Sequence, residues 1–312
     1  MKGYLRDLTL RLARGVAALD DGQRARHLGF FSSAQRSDGG FAGREGGSDP
    51  YYTSFGLRSL ALLGELYGDV ARRAAEFLQG RLIGQESLVD FFTLLYSAEL
   101  LQVSADIDLF AASRTDWRKQ VTEFLLQLRR DDGGFAKTEE GAASSTYQTF
   151  LVCVAFDMLH QPIPESDRIV EFLRSQQMDD GGFREIRAAR RGGTNPTAAA
   201  IGALRILDRL DEESTEGAID FLLERQSDEG GLTANTRIPI ADVLSTFTGL
   251  VTLTDLGARD EVDLAAIARF VAELESPDGG FRAALWDDRY DVEYSFYGLG
   301  TLALLAEPAS DE

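Results

Sequence analysis

A four-residue phrase, Asp-Gly-Gly-Phe, recurs at a nearly constant spacing along this chain of 312 residues. It stands at Asp38–Phe41, Asp132–Phe135, Asp180–Phe183 and Asp278–Phe281, with a variant at Glu229–Leu232. The final residues lie 94, 48, 49 and 49 positions apart, and the first gap is nearly twice the others. One copy is therefore missing, and the chain is predicted to consist of six repeats of about 48 residues, which indicates a repeat architecture.

Each repeat is predicted to contain two helices. Arg168–Gln177 carries apolar residues at helical spacing on one side, which is typical of an amphipathic helix. The Asp-Gly-Gly turn ends it, because glycine accepts a positive φ and the aspartate can hydrogen-bond the turning backbone. A second helix, such as Phe55–Leu63 or Tyr297–Leu305, is apolar almost all round, which predicts that it is buried.

Six such helix pairs predict an all-α fold, a six-repeat α/α toroid (α6/α6 barrel). The apolar helices would form the inner ring and the amphipathic helices the outer one. A closed ring leaves no apolar end face exposed, whereas an open helical solenoid must cap both ends. We therefore predict that residues 1–312 form a single domain.

Composition narrows the classes of function. The formal net charge is −19, from 51 acidic and 32 basic residues, and no basic stripe is present, so nucleic-acid binding is not expected. No apolar run approaches a membrane span, and the first residues lack the apolar core of a signal peptide. The single cysteine, Cys153, excludes an intramolecular disulfide framework. These features predict a cytoplasmic protein.

The repeat phrase resembles that of a known superfamily. Gln-x-x-x-Gly-x-Phe occurs at Gln35–Phe41 and Gln177–Phe183, and with a final leucine at Gln226–Leu232. It resembles the repeat of squalene and hopene cyclases, which carry tryptophan in place of phenylalanine. It is still more similar to that of protein prenyltransferase β subunits, especially the Rab geranylgeranyltransferase type, over nearly the whole chain. The resemblance implies an isoprenoid diphosphate or other lipid-like ligand, prenyl transfer to an acceptor, and a separate α-type subunit or a protein acceptor as partner.

Two phrases correspond to the zinc site of that family. Its Asp-Val-Cys-Tyr-Ser and Asp-Pro-Phe-His-Thr stand here as Asp291–Ser295 and Asp49–Thr53, so closure of the ring would bring the two together. Asp291 matches an aspartate ligand, whereas Glu293 replaces the cysteine and Tyr52 the histidine. The resemblance implies catalytic roles for these three residues and a divalent cation, Zn or Mg, on Asp291 and Glu293. Zinc favours sulfur and imidazole, so an oxygen-only set is closer to what Mg accepts; a carboxylate pair that binds no ion is the alternative.

The first residues of the inner helices are predicted to surround the mouth of the ring. They are Tyr51, Tyr52, Val89, Asp90, Phe91, Tyr147, Gln148, Asn195, Pro196, Asp242, Leu244, Asp291, Glu293 and Tyr294. Aromatic side chains with a few polar groups are typical of a small-molecule pocket. In the resembling enzymes such a wall holds the isoprenoid, and we expect Tyr51 and Tyr147 to do so here. Alternatively, these aromatics pack the mouth shut.

A diphosphate needs cations, and arginine is the side chain that pairs best with phosphate oxygens. The one basic cluster lies before the fourth inner helix, and matching loops of other repeats hold Arg44, Arg237 and Arg289. We predict that the diphosphate is bound by Arg187, Arg190, Arg191 and Arg237, together with Tyr294. Tyr294 matches a family tyrosine that hydrogen-bonds the diphosphate. The alternatives are a solvated loop for the cluster and a packed aromatic for Tyr294.

Two other functions stay open: a non-catalytic ring that binds a lipid or a protein, and a terpene cyclase. A cyclase of this superfamily needs an Asp-x-Asp-Asp acid, and the nearest string, Asp106–Asp108, is followed by leucine and is predicted to be a surface loop. His27 and His160 are predicted to be structural or exposed, and Cys153 to be an inert packed thiol. The Asp-Gly-Gly aspartates are interpreted as turn residues.

Overall fold

The computed structural model describes residues 3–81, 88–111 and 116–307, and helices dominate this part of the chain. In order, the helices are α1 (Tyr4–Ala18), α2 (Asp21–Ala34), α3 (Pro50–Leu62), α4 (Gly68–Gln79), α5 (Leu88–Ala105), α6 (Trp117–Gln127), α7 (Thr146–Met158), α8 (Ser166–Arg174), α9 (Thr194–Ile206), α10 (Glu212–Leu223), α11 (Val243–Asp255), α12 (Leu264–Leu274) and α13 (Val292–Ala306). A short antiparallel hairpin joins β1 (Thr233–Asn235) to β2 (Ile238–Ala241), and Arg259–Glu261 form a 3-10 helix. The predicted all-α class is confirmed.

The helices α2 to α13 follow the predicted alternation. Each even-numbered helix precedes a turn or loop, and each odd-numbered helix then supplies a largely buried segment, which gives six pairs. The missing copy of the Asp-Gly-Gly-Phe phrase would fall at residues 82–87, which lie outside the described part of the chain.

The Asp-Gly-Gly turns have the structural role predicted for them. The first glycine of each has a positive φ, for example +88° at Gly39 and +91° at Gly133. The carboxylate of Asp38 accepts a hydrogen bond from the Gly40 backbone N–H at 3.1 Å, and Asp132 and Asp180 do the same in their own turns. A Cβ on Gly39 would lie 2.2 Å from the carbonyl oxygen of Arg73. The turn thus packs directly on the backbone of the amphipathic helix of the next repeat.

The residue after the two glycines is an apolar plug at the centre of each repeat. Phe41, Phe135, Phe183, Leu232 and Phe281 are fully buried. A hydroxyl on the following apolar helix accepts a hydrogen bond from the backbone N–H of each plug, with N···O distances of 2.9 to 3.1 Å. These hydroxyls belong to Thr53, Thr149, Thr197, Thr246 and Ser295. The same bond in five repeats keeps turn and helix in one register.

The chain divides into two compact units. One, called the central unit here, comprises Met1–Asp7 and Asp116–Ile267. Within it the apolar helices pack in succession, α7 on α9 and α9 on α11. Cys153 is buried on α7, and burial raises the pKa of its thiol to about 12, as an inert thiol requires. His160 is exposed, as predicted.

The other unit, called the terminal unit here, comprises Leu8–Thr115 and Ala268–Glu312. Its α3 packs on α5 and also on α13, so the first and last repeats of the chain are neighbours. The turn of the last repeat repeats the contact seen elsewhere, because a Cβ on Gly279 would lie 2.4 Å from the carbonyl oxygen of Arg26 on α2. Asp106 and Asp108 are exposed in the loop after α5, as expected. The single-domain prediction stays a prediction.

Among the described residues one helix, α5 (Leu88–Ala105), is long and apolar enough to cross a membrane by length and composition. Of that window 56% is buried inside the protein. A core helix meets the same criterion, and α5 packs on α3 and α4. The helix is therefore weak support for a membrane span.

A partly buried ion cluster joins the last repeat to the first. The carboxylate of Glu275 accepts hydrogen bonds at 3.0 Å from Gln23 and Arg26, and the buried His27 Nε2 lies 3.4 Å from it. Burial acts to raise the pKa of Glu275, but the bonds to His27, Arg26 and Gln23 outweigh it and lower this pKa to about 2. His27 also accepts the Gly280 N–H and stacks on Phe281, so its predicted structural role is confirmed.

We expect Glu275→Gln to lower the free energy of unfolding near neutral pH by about 2 kcal/mol, because charge-assisted hydrogen bonds become neutral ones. The stabilisation is fully present above the ordinary pKa of 4.5 and is lost as the pH falls toward about 2. The difference between wild type and variant should therefore shrink with acidification. Urea titrations of both proteins at about pH 7 and about pH 3 measure it; an unchanged difference would contradict the assignment.

Candidate functional site

An open cleft of about 670 Å³ lies in the central unit. Its walls are the loop before α9, the first turn of α9 and the β1–β2 hairpin. Arg190, Arg191 and Arg237 line it, so the structure brings together three of the four arginines predicted to bind a diphosphate. We call this opening the arginine cleft.

The three guanidinium groups of the arginine cleft are exposed and free of acidic partners. None forms an ion pair within the described parts of the chain; Arg191 donates a single hydrogen bond, to the Thr236 hydroxyl at 3.0 Å. Glu185 also lines the cleft, but its carboxylate accepts the Ser145 hydroxyl, and burial raises its pKa. The cleft is thus a positive site on a chain with a net charge of −19.

The start of α9 adds to the positive character of the arginine cleft. The helices α3, α7, α11 and α13 have a side-chain N-cap, supplied by Asp49, Ser145, Asp242 and Asp291. At α9 the N-cap is Gly193, which offers no side-chain acceptor. This end of α9 therefore has no side-chain acceptor for its backbone N–H groups, and the positive end of the helix dipole lies at cleft-lining residues; both features favour an anion.

Of the remaining predicted residues of the central unit, Asn195 and Pro196 line the arginine cleft, whereas Arg187 and Tyr147 lie outside it. Arg187 is exposed and its Nε lies 3.6 Å from Asp132 Oδ2. Tyr147, on the first turn of α7, is 40% exposed. Asn195 lines the cleft, and its Oδ1 accepts a hydrogen bond from the Thr248 hydroxyl at 2.6 Å. These positions give no test of the binding roles predicted for Arg187 and Tyr147.

In the terminal unit, Arg44 forms the centre of an ion-pair cluster, called the Arg44 cluster here. Its Nε donates to Asp291 Oδ2 at 2.7 Å, and its two Nη atoms both donate to Asp287. The guanidinium also lies over the ring of Tyr294, 5.0 Å from its centroid. Asp287 and Asp291 are only 5% and 6% exposed, so both charges depend on Arg44 for neutralisation.

Glu293 and the two tyrosines of α3 lie next to one another, as the closed-ring prediction requires. The Tyr51 hydroxyl donates to Glu293 Oε1 at 2.7 Å, and the rings of Tyr51 and Tyr52 meet edge to face at 5.3 Å. Burial, aided by the charge of Asp291, raises the pKa of Glu293. Burial and then the charges of Glu293 and Asp291 raise the pKa of Tyr52. The pKa of each group therefore lies above its ordinary value.

The residues present do not fit the zinc site that the resemblance implies. Asp291 uses one carboxylate oxygen to cap α13 through the Tyr294 N–H and the other to bind Arg44. A guanidinium already neutralises the carboxylate that would face the metal, and Tyr52 is a phenol with a raised pKa. Nowhere in residues 3–81, 88–111 and 116–307 do three His, Cys, Asp or Glu side chains form a group that could hold a metal ion. The metal prediction gains no support from these donors.

Two residues that the sequence interpretation missed become visible in the terminal unit. Asp287, in the loop before α13, is a main partner of Arg44; a carboxylate in a loop carries no signal of that pairing. Arg58 lies in the apolar segment Phe55–Leu63 of α3 and contacts aromatic rings. A single charge within a helix otherwise apolar on all sides was the signal that could have found it.

Comparisons with known proteins agree on the fold. The prenyltransferase alpha-alpha toroid domain family matches residues 23–79, 85–237 and 200–311. No curated protein matches the chain by sequence at a significant level. A Candida albicans protein geranylgeranyltransferase-I, complexed with GGPP, is similar in structure, with a TM-score of 0.71 and 16% identity over 90% of each chain.

Two further structures show how varied proteins of this fold are. A variant of a type II terpene cyclase from Scytonema, bound to geranylgeranyl dihydroxybenzoate, has a TM-score of 0.63 and 15% identity over 96% of this chain and 99% of its own. An α-1,6-mannanase from Salegentibacter has a TM-score of 0.62 and 13% identity over 96% and 98%. At such identities the likeness shows the fold alone. The predicted α/α toroid class is confirmed, and function has to be argued from the site.

Proposed function

The chain belongs to the prenyltransferase alpha-alpha toroid domain family, and we propose that it binds an isoprenoid diphosphate and transfers the prenyl group to an acceptor. The diphosphate would lie in the arginine cleft. The family supports a lipid-like substrate, because the similar geranylgeranyltransferase and terpene cyclase are both complexed with geranylgeranyl compounds.

One observation carries the proposal: the convergence of Arg190, Arg191 and Arg237 on one cleft without acidic partners. Like charges repel, so three unpaired guanidinium groups raise the free energy of the free protein. A diphosphate removes that repulsion and accepts paired, charge-assisted hydrogen bonds from them. In a protein with 51 acidic residues, three arginines left unpaired at one place favour an anionic ligand.

The arginines also suit the chemistry of prenyl transfer. The bond between the first prenyl carbon and the diphosphate oxygen breaks, and its electron pair leaves with the diphosphate. A new bond forms between that carbon and the acceptor, whose proton passes to a base. Guanidinium groups held at the leaving oxygens stabilise charge that develops in the transition state, which is the kind of interaction that accelerates a reaction.

The other predicted roles belong to the same proposal. In the central unit, Tyr147 would contact the substrate. The substrate-binding roles predicted for Tyr51 and Tyr294 and the catalytic roles predicted for Glu293 and Tyr52 belong to the terminal unit and stay predictions. Asp291 would act through the Arg44 cluster, which fixes the loop before α13. A separate α-type subunit or protein acceptor, and a cytoplasmic location, complete the proposal.

The test is the affinity of the purified protein for farnesyl and geranylgeranyl diphosphate, measured by calorimetry. We expect the double variant Arg190→Ala, Arg191→Ala to bind about 30-fold more weakly, since each lost charge-assisted bond in this open cleft is worth about 1 kcal/mol or slightly more. Titrations with and without added Mg²⁺ test the predicted divalent cation in the same experiment.

Arg187→Ala is the comparison variant: the sequence predicts that Arg187 also binds the diphosphate, but it lies outside the arginine cleft and pairs with Asp132. We expect it to change the affinity by less than about twofold. Equal losses in the double variant and the control would show that only the overall charge matters. No binding of either diphosphate by the wild type would refute the proposal.

Ligand binding without chemistry is a second candidate. It is favoured by the structural use of Asp291, the residue aligned with a metal ligand of the family, in a cap and an ion pair. Incubation with radiolabelled geranylgeranyl diphosphate and cell extract separates the two functions. Release of inorganic diphosphate with a prenylated product supports transfer, and tight binding without turnover supports the second candidate.

A further inference from the structure

Arg58 is the only charged residue in the apolar segment Phe55–Leu63 of α3. Aromatic rings from three helices surround its guanidinium: Phe55 of α3 at 5.0 Å, Tyr96 of α5 at 4.5 Å and Phe296 of α13 at 5.7 Å from the ring centroids. We call these four residues the Arg58 cage. The cage lies wholly within the terminal unit.

The rings of the Arg58 cage are held in place by their surroundings. Phe55, Tyr96 and Phe296 are between 4% and 8% exposed, and the Tyr96 hydroxyl is hydrogen-bonded to the Thr9 hydroxyl at 2.7 Å. Ring faces attract the cation, and the Nε of Arg58 is buried among them. The cage therefore stabilises the positive charge without providing an acceptor for its N–H groups.

Among the residues that the structure describes, none accepts a hydrogen bond from the buried Nε of Arg58. A guanidinium carries five N–H donors. Arg58 Nε is buried without a hydrogen-bond partner, and the described residues give Arg58 no ion pair. A buried donor left without an acceptor raises the free energy of the folded protein. A ligand oxygen placed on the edge of this guanidinium would recover that free energy.

The charges nearby favour a single negative charge on such a ligand. Burial raises the pKa of Glu293, and the positive charge of Arg58 acts in the opposite direction, so the two side chains are close in space. Within the described residues, Arg58 and Glu293 are not joined by a hydrogen bond; Glu293 accepts one from Tyr51. Asp287 and Asp291 share one arginine, Arg44. One carboxylate group matches one guanidinium in charge and in its two-oxygen geometry, whereas a diphosphate would bring more negative charge next to Glu293.

We propose that the Arg58 cage binds the carboxylate of an amphiphilic acid. The site is independent of the arginine cleft, and its test does not depend on prenyl transfer.

Calorimetric titration with 4-phenylbutyrate and with its neutral analogue 4-phenylbutanol tests the site. We expect the acid to bind and the alcohol to bind at least about tenfold more weakly, because the alcohol offers no charged acceptor. Arg58→Met, which keeps an unbranched side chain, should weaken the acid about tenfold and leave the alcohol unchanged. Arg118→Met is the matched control: Arg118 stacks on Trp117 at 4.5 Å but is exposed in the central unit, and its loss should have no effect.

Arg58→Lys is a second variant in case Arg58→Met does not fold. It keeps the charge but loses the planar pair of donors, and we expect about threefold weaker binding of the acid. Equal affinities for acid and alcohol, no binding of the acid, or unaltered affinity in the folded Arg58 variants would overturn the proposal. Displacement of phenylbutyrate by excess inorganic diphosphate would overturn the choice of a carboxylate.

Discussion

Replacing Arg44 by methionine is expected to lower the free energy of unfolding by about 3 kcal/mol. The change leaves the side chains of Asp287 and Asp291, which are 4% and 3% exposed, without their common cation. Removing one partner of a buried ion pair costs about 3 to 5 kcal/mol, and partial exposure of Arg44 places this case at the lower end. Urea or guanidinium unfolding followed by circular dichroism measures the difference.

Arg289→Met is the matched control for Arg44→Met. Arg289 lies in the loop before α13; its ion pair with Glu45 and its hydrogen bond to the Arg44 carbonyl oxygen are both exposed, so we expect a change of no more than about 0.5 kcal/mol. Adding Asp287→Asn to Arg44→Met should restore part of the lost stability, because it removes one of the two uncompensated charges. A loss below about 1 kcal/mol for Arg44→Met alone would show that the cluster is not a structural element.

Gly39→Ala is expected to lower the free energy of unfolding by about 3 to 4 kcal/mol. At its φ of +88° a residue with a Cβ is strained by about 1 to 2 kcal/mol. The new Cβ would also lie 2.2 Å from the Arg73 carbonyl oxygen. That atom belongs to the backbone of α4, so the helix itself must shift, and overpacking of this kind costs about 1 to 3 kcal/mol more.

Gly46→Ala separates the two contributions. Gly46 has nearly the same φ, +85°, yet a Cβ there would meet nothing within 4 Å. We expect it to lose only the backbone contribution, about 1 kcal/mol. Thermal unfolding of both variants gives the comparison, and similar losses at the two positions would show that the contact between Gly39 and α4 contributes little.

The fold could be predicted from the sequence because its determinants are local and repeated. A glycine at positive φ, an aspartate that bonds the turn and a plug such as Phe41 recur at a constant spacing, and each reports on its own repeat. The neighbourhood of Tyr51 and Glu293 followed from the same periodicity, since closure joins the first repeat to the last. The repeat spacing therefore predicted both the turns within each repeat and which helices are neighbours.

The partners of charged side chains could not be predicted in this way. Arg44 lies 243 and 247 positions from Asp287 and Asp291, and nothing local to Arg44 indicates either contact. Arg187 and Arg190 are three residues apart in one loop, but only Arg190 lines the arginine cleft. The conformation of the loops decides which charged side chains pair, and the loops differ from one repeat to the next.

The bond between the plug N–H and the hydroxyl of the next helix has a consequence for how new activities can arise on this scaffold. It fastens both ends of the intervening loop, for example residues 184–193 between Phe183 and α9. Arg44, Arg190 and Arg237 all lie in such loops, whereas the turns and plugs carry no reactive group. One loop can therefore be replaced by the corresponding loop of another family member while both anchor points stay in place. We expect the ligand preference of the chimera to be that of the protein that supplied the loop.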